Sequence, residues 1–192
     1  MAKIKICGLK RLEDIKYANE LVPDFVGFIL SDGFKRSIKP QQAVHLKAKL
    51  SDNIKAVGVF VDEPAEAIDC FLRQGVIDIV QLHGSETPEF CSKINAPVIK
   101  MLKSTDFDKI SQYEPYVDYF LFDSGTGTGK TFDWSKIPKT QKPFFLAGGL
   151  NKENIPLAMK TVNPYAVDLS SCIETDGCKD YIKIKEVMEC VR

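Results

Sequence analysis

The sequence predicts an α/β fold: a compact (β/α)8 barrel of the TIM type, formed as a single domain over residues 1–192. Three observations predict it. Short runs rich in β-branched and aromatic residues recur along the chain. Their starts lie 19 to 30 residues apart, the length of a strand, loop and helix that returns to a parallel strand. Between them, apolar residues recur at helical spacing. Eight such units over 192 residues leave 24 residues each, which is compact for a fold of typically about 250 residues. An open, doubly wound sheet is the alternative, and it lacks a Gly-rich fingerprint after the first run.

The elements follow in order. KIKIC (3–7) opens as a strand. Its parity puts Lys3, Lys5 and Cys7 on one face and Ile4 and Ile6 on the other. The isoleucines are expected to pack outward on helices, leaving Lys5 inside the barrel below Cys7. A helix follows through Leu12, Ile15, Tyr17, Ala18, Leu21 and Val22. FVGFIL (25–30) is the second strand, with a helix through Ala43, Val44, Leu46 and Leu50. KAVGVFV (55–61) is the third, with a helix through Ala67, Ile68, Phe71 and Leu72. DIVQLH (78–83), PVIKML (97–102) and DYFLFD (118–123) continue the series. Pro40, Pro64 and Pro88 stand at helix starts, where a missing N–H costs little. Past Thr131 there is only a short stretch around Trp134 to Ile137. PFFLAG (143–148) and AVDLSS (166–171) complete the strands. Tyr181, Ile184, Val187, Met188 and Val191 close the chain as a helix. The same parity groups Gln81 with His83 and Asp168 with Ser170. Because the first and eighth strands adjoin in a closed barrel, Lys5 and Asp168 are predicted to pair near Cys7.

Composition removes whole classes of function. Lys+Arg and Asp+Glu are both 26, so the formal charge is zero. Basic residues are spread along the chain, and no field is left to hold a nucleic acid. No apolar run approaches the roughly 18 residues of a membrane span. MAKIKICGLK lacks the uninterrupted apolar segment of a secretory signal. A cytoplasmic protein that faces small molecules is expected, with neither nucleic acid nor membrane as partner. Six cysteines are present, but a chain with a full core and no export signal needs no disulfides. Without a Cys-x-x-Cys pair, and with His45 and His83 the only histidines, no metal site is expected. Cys70 and Cys91 read as small buried hydrophobes.

Barrel active sites lie where strands end at their C-terminal face. Here the runs end in Cys7, Ser31 to Arg36, Asp62, His83, Lys103, Asp123, Gly148–Gly149 and Ser170–Ser171. Nearly every strand hands a polar or flexible residue to one rim. Phosphate sites in such barrels use the loops after strands seven and eight. Gly148 and Gly149 let backbone N–H groups approach an anion, Ser170 and Ser171 offer hydroxyls, and the helix starts that follow add dipoles. SGTGTGKT (124–131) imitates a nucleotide loop. It has Ser124 where the P-loop needs glycine, and Gly125, Gly127 and Gly129 read instead as a mobile loop over the mouth.

KICGL (5–9), GFIL…KR (27–36), VGVFV (57–61), VQLHG (80–84), LFD (121–123), GTGKTFDW (127–134), LAGGL (146–150) and VDLSS (167–171) resemble, in order and through essentially the whole chain, the motif set of the phosphoribosylanthranilate isomerases. The resemblance implies a (β/α)8 barrel of tryptophan biosynthesis, working as a monomer or homodimer without a cofactor. Its reaction is the Amadori rearrangement of N-(5′-phosphoribosyl)anthranilate, a phosphorylated sugar-anthranilate. It implies Cys7 as general base, Asp123 as general acid and Arg36 as partner of the anthranilate carboxylate. Gly148, Gly149, Ser170 and Ser171 match the phosphate loops. Gln81 and His83 match mouth-lining positions, and Asp168 stands beside them as a substrate-side residue. Two positions depart from the family. Cys172 replaces the glycine that usually follows Ser-Ser, which matters if the backbone there needs φ > 0, and the loop after Asp123 is short.

The chemistry suits these residue types. A protonated Asp123 supplies the proton that opens the ribose ring. A Cys7 thiolate removes the C2′ proton of the resulting iminium, and because a free thiol has a pKa near 8.5, nearby Lys5 and helix N-termini help it ionise. Two rival readings remain. A histidine-pathway isomerase on a related barrel carries an aspartate where Cys7 stands. A binding barrel without turnover needs the phosphate loops but no base.

Overall fold

The computed structural model describes residues 2–124 and 131–192. Gly125, Gly127 and Gly129, expected as a loop over the mouth, lie outside the described residues, as does the first half of GTGKTFDW. Eight strands close a parallel barrel in sequence order. They are β1 (Lys3–Cys7), β2 (Phe25–Ile29), β3 (Lys55–Phe60), β4 (Ile79–Leu82), β5 (Val98–Lys103), β6 (Tyr119–Asp123), β7 (Phe144–Leu146) and β8 (Ala166–Leu169). β1 pairs with β8 as well as β2, and Lys5 stands opposite Asp168 in that register.

Strand parity divides the core as the alternation predicts. Ile4 and Ile6 belong to the large apolar layer between barrel and helices. Phe25, Val57, Ile79, Ile99, Leu121 and Phe145 fill the barrel interior as a second cluster. Phe145 meets Phe25 edge-on at 5.3 Å and Tyr119 at 5.6 Å. This aromatic floor fills the barrel, and polar side chains gather above it.

The runs DIVQLH and DYFLFD begin one residue before β4 and β6, for a physical reason. Asp24, Asp78 and Asp118 each stand just before an even-numbered strand and accept a backbone N–H from the strand before it: Ile4 at 2.9 Å, Ala56 at 2.7 Å and Val98 at 2.8 Å. These carboxylates satisfy donors at the lower rim that the ladder leaves open.

The helices are α1 (Leu12–Leu21), α2 (Pro40–Lys47), α3 (Ala65–Arg73), α4 (Pro88–Cys91), α5 (Ile110–Tyr113), α6 (Ile155–Val162) and α7 (Tyr181–Val191). Buried Asp14 caps α1 by accepting from the backbone N–H groups of Lys10 and Arg11. Between β6 and β7 the only helical turn among the described residues is the 3-10 turn Trp134–Lys136, in keeping with the short stretch expected there. None of the described helices is long and apolar enough to cross a membrane. Cys91 is buried, but Cys70 is exposed, contrary to expectation. It sits two positions, about 200° of helix rotation, from Ile68, the inward residue of α3.

One element has no counterpart in the sequence reading. A two-stranded antiparallel hairpin, β9 (Glu174–Thr175) and β10 (Cys178–Lys179), follows β8. Its turn residues Asp176 and Gly177 both have positive φ, 51° and 75°, the conformation for which Asp-Gly is suited.

Candidate active site

At the C-terminal ends of the strands lies a cavity of about 370 Å³ that gathers every site residue the sequence singles out. Cys7 and Asp123 reach it from the non-adjacent strands β1 and β6. Arg36, Gln81, His83 and Asp168 also line it, and Gly148, Gly149, Ser170 and Ser171 form its border after β7 and β8. Three named strand-end residues, Ser31, Asp62 and Lys103, do not join. Asp62 accepts from the Ser85 N–H at 2.7 Å, and with Lys103 it borders a neighbouring cavity of about 380 Å³.

The predicted ion pair is present: Lys5 Nζ stands 2.9 Å from Asp168 Oδ1, with Lys5 wholly buried. Burial opposes the lysine's charge, but Asp168 and Cys7 outweigh it and hold the ammonium above its ordinary range. Burial also pushes Asp168 up, against the pull of Lys5, and the nearby Asp123 charge adds to the rise. Burial pushes the Cys7 thiol up as well. Lys5 and Lys179 pull it back while Asp168 adds to the rise. Room for the sulfur comes from Gly27, the register partner of Cys7. A Cβ there would sit 2.7 Å from Cys7 Sγ.

Gln81 Nε2 lies 2.8 Å from His83 Nδ1. With the amide donating, the neutral ring carries its proton on Nε2. Burial pulls His83 down, against Asp123, so the ring is neutral at neutral pH. Gln81 Oε1 is buried and has no hydrogen-bond partner among the described residues, an acceptor left for a ligand hydroxyl or a water.

Gly148 and Gly149 both take positive φ, 82° and 68°, which presents loop backbone to the cavity. No α-helix starts directly at either loop. α6 begins only at Ile155, and a single 3-10 turn, Ser171–Ile173, follows Ser170, whereas a dipole's influence fades within one turn. Any anion here is met by loop N–H groups and hydroxyls. Cys172 is not among the residues with positive φ, so the missing glycine costs no strain. Burial pushes its thiol up to about 11, so it carries no charge at neutral pH.

Arg36 makes a contact the sequence did not suggest. Its Nε and Nη2 donate to Glu174 at 2.6 and 2.8 Å. Lys179, 4% exposed, donates to Glu174 at 2.8 Å and to the Ser170 carbonyl at 3.0 Å. Asp-Gly at 176–177 was the available signal for the hairpin that carries both residues. Among the described residues no cluster of His, Cys, Asp or Glu could hold a metal ion.

Fold and site together define a (β/α)8-barrel protein whose strand ends bring a thiol, a carboxyl group and a guanidinium to one cavity. The chain belongs to the N-(5'phosphoribosyl)anthranilate (PRA) isomerase family, which matches residues 4–190. It is 43% identical to the N-(5'-phosphoribosyl)anthranilate isomerase of Caldanaerobacter subterraneus subsp. tengcongensis, over 100% of this chain and 98% of the relative. The phosphoribosyl anthranilate isomerase of Thermotoga maritima superposes with a TM-score of 0.90 at 36% identity, covering 99% of this chain and 98% of that one. A phosphoribosyl anthranilate isomerase in complex with reduced 1-(o-carboxyphenylamino)-1-deoxyribulose 5-phosphate superposes with a TM-score of 0.85 at 35% identity, covering 98% and 97%.

Proposed function

We propose that the chain, acting over residues 1–192 as one catalytic domain, converts N-(5′-phosphoribosyl)anthranilate to 1-(2-carboxyphenylamino)-1-deoxyribulose 5-phosphate, a step of tryptophan biosynthesis, without a cofactor. The observation that carries this is the convergence of Cys7, Asp123 and Arg36 on the cavity bordered by Gly148, Gly149, Ser170 and Ser171. The family match and the similarity to an isomerase bound to the reduced product support the same reading.

Asp123 gives its proton to the ribose ring oxygen as the C1′–O bond breaks and the anilino nitrogen lone pair forms the iminium. Cys7, as thiolate, takes the C2′ proton, and the electrons of that C–H bond neutralise the iminium to an enolamine. The enolamine tautomerises to the ketone. One proton is supplied and one removed, so the step is an isomerisation with no net proton change. Arg36 holds the anthranilate carboxylate, and the loops after β7 and β8 hold the phosphate. Neutral His83, Gln81 and Asp168 meet the sugar hydroxyls. The two anchors keep the pentose between acid and base. The partner is this small phosphorylated substrate, and the setting is cytoplasmic. The enzyme works as a monomer or homodimer, and a Thermotoga maritima relative is described as dimeric.

Freshly generated phosphoribosylanthranilate, followed by its fluorescence, tests the proposal. Consumption by the wild-type protein is expected. Cys7→Ser should lose about 10²-fold or more in turnover, as for removal of a general base, while binding the reduced product within a few fold. Asp123→Asn should abolish ring opening. An inactive wild-type protein, or a Cys7→Ser variant of near-normal turnover, overturns the assignment.

A further inference from the structure

We propose that Glu174, supported by Lys179, is a positioning residue that makes the site selective for a ligand carrying a carboxylate, by holding Arg36 in one orientation. The proposal rests on the reading of Arg36 as the carboxylate's partner.

The geometry is a clamp. Glu174 occupies one edge of the guanidinium through Nε and Nη2, which leaves the Nη1 edge to meet a second planar anion. The aliphatic stem of Arg36 lies over Gly8, next to Cys7. Gly8 has φ +80°, and a Cβ there would sit 2.4 Å from Arg36 Cδ. Glu174 is itself fixed. Lys179 Nζ holds the same carboxylate, and Lys183 Nζ donates to the Glu174 carbonyl at 2.7 Å. Arg11 Nη2 donates to the Lys179 carbonyl at 3.0 Å, tying the hairpin to the start of α1.

The charges add to the same effect. Two cations share one carboxylate, leaving a single positive charge to be met by one ligand carboxylate. Stability alone does not call for such a cluster, since buried ion pairs are often replaced by apolar residues without loss. A flexible arginine, by contrast, spends much of its time off target. Glu174 stays ionised to do this. Burial pushes it up, but hydrogen bonds from Arg36 and Lys179 outweigh that and hold it at about 2.

The test compares the reduced product with an analogue whose aryl ring lacks the carboxylate. Dissociation constants are measured for wild type, Arg36→Met, Glu174→Gln and the double variant Glu174→Gln/Lys179→Met, together with kcat and KM. The double variant removes both buried charges and so leaves neither unpaired. Wild type should prefer the carboxylated ligand, and Arg36→Met should lose that preference. Both Glu174 variants should lose about tenfold of it, the scale of a charged hydrogen bond. They should still bind the carboxyl-free analogue within about threefold, and Glu174→Gln should raise KM about tenfold with kcat within about threefold; the double variant, which also takes the Lys179 charge from beside Cys7, is read by its ligand preference alone. Equal weakening of both ligands, or an intact preference, overturns the positioning role. A wild-type protein that does not discriminate, or an Arg36→Met variant that still does, overturns the Arg36 reading instead.

Discussion

Lys5 Nζ lies 2.9 Å from Asp168 Oδ1 inside the barrel, the lysine wholly buried and its partner 9% exposed. The pair stands above the aromatic floor and beneath Cys7, so its removal has consequences for both stability and chemistry. Lys5→Met leaves a buried carboxyl group unpaired and should cost about 3–5 kcal/mol. The double variant Lys5→Met/Asp168→Leu should recover most of that, because it exchanges the pair for apolar packing. Urea unfolding midpoints measure both. The deficit of Lys5→Met also has a sign in pH. Burial raises Asp168 in the folded state, and without Lys5 that rise is larger. The folded protein then binds the proton more tightly than the unfolded chain, so stability falls as pH rises from the ordinary carboxylate range through the folded value. A single-variant deficit that does not widen over that window would contradict the account.

The second prediction concerns the thiol. Burial raises Cys7 and Lys5 opposes the rise, so the free enzyme is mostly in the thiol form at neutral pH. Below the thiol's pKa each pH unit raises the thiolate fraction about tenfold. The base-dependent limb of kcat/KM should therefore still be climbing through neutrality. Lys5→Met removes one cation and should move that limb to higher pH. Profiles of kcat/KM against pH for wild type and Lys5→Met check this. An identical limb in both would show that the titrating group is not Cys7.

The barrel was legible because its signals are periodic. Ile4 and Ile6 face outward while Lys5 and Cys7 face inward, and that alternation alone brings Lys5 to Asp168 once β1 and β8 adjoin. The mouth was legible because strand ends converge on it, which is why Cys7, Asp123 and Arg36 are found together. What parity does not reveal is the partner of a long side chain. Arg36 meets Glu174 at a separation of 138 residues, through a hairpin too short to show a strand pattern. Lys100 was similarly hidden in an apolar run. It faces out of the barrel and pairs with Glu86 at 2.6 Å, both 2% exposed, where Glu86 also accepts the Asp62 and Gly84 N–H groups. Helix dipoles at the phosphate loops were expected from the alternation of elements. Six positions of chain separate Gly149 from the start of α6 at Ile155, which leaves that expectation without support on the β7 side.

Gly148 gives the last prediction, because its surroundings differ from its sequence reading. A glycine that only admits a phosphate would have open space where its Cβ is missing. At Gly148 a Cβ would instead lie 2.6 Å from Ser124 N, 2.8 Å from Ser124 Oγ and 3.0 Å from Asp123 Oδ1, with φ at +82°. Glycine here leaves room for Asp123, the proposed acid, as well as bending the loop. Gly148→Ala should cost about 1 kcal/mol or more in stability from the left-handed backbone. It should also lower kcat by about 10²-fold, the scale of a displacement near 1 Å at a reacting group. Inorganic phosphate, used as a competitive inhibitor, separates the two roles. If the glycine serves the acid, phosphate inhibition changes by only a few fold while kcat collapses. If it serves the phosphate alone, inhibition weakens with kcat preserved, and the crowding against Asp123 has no catalytic consequence.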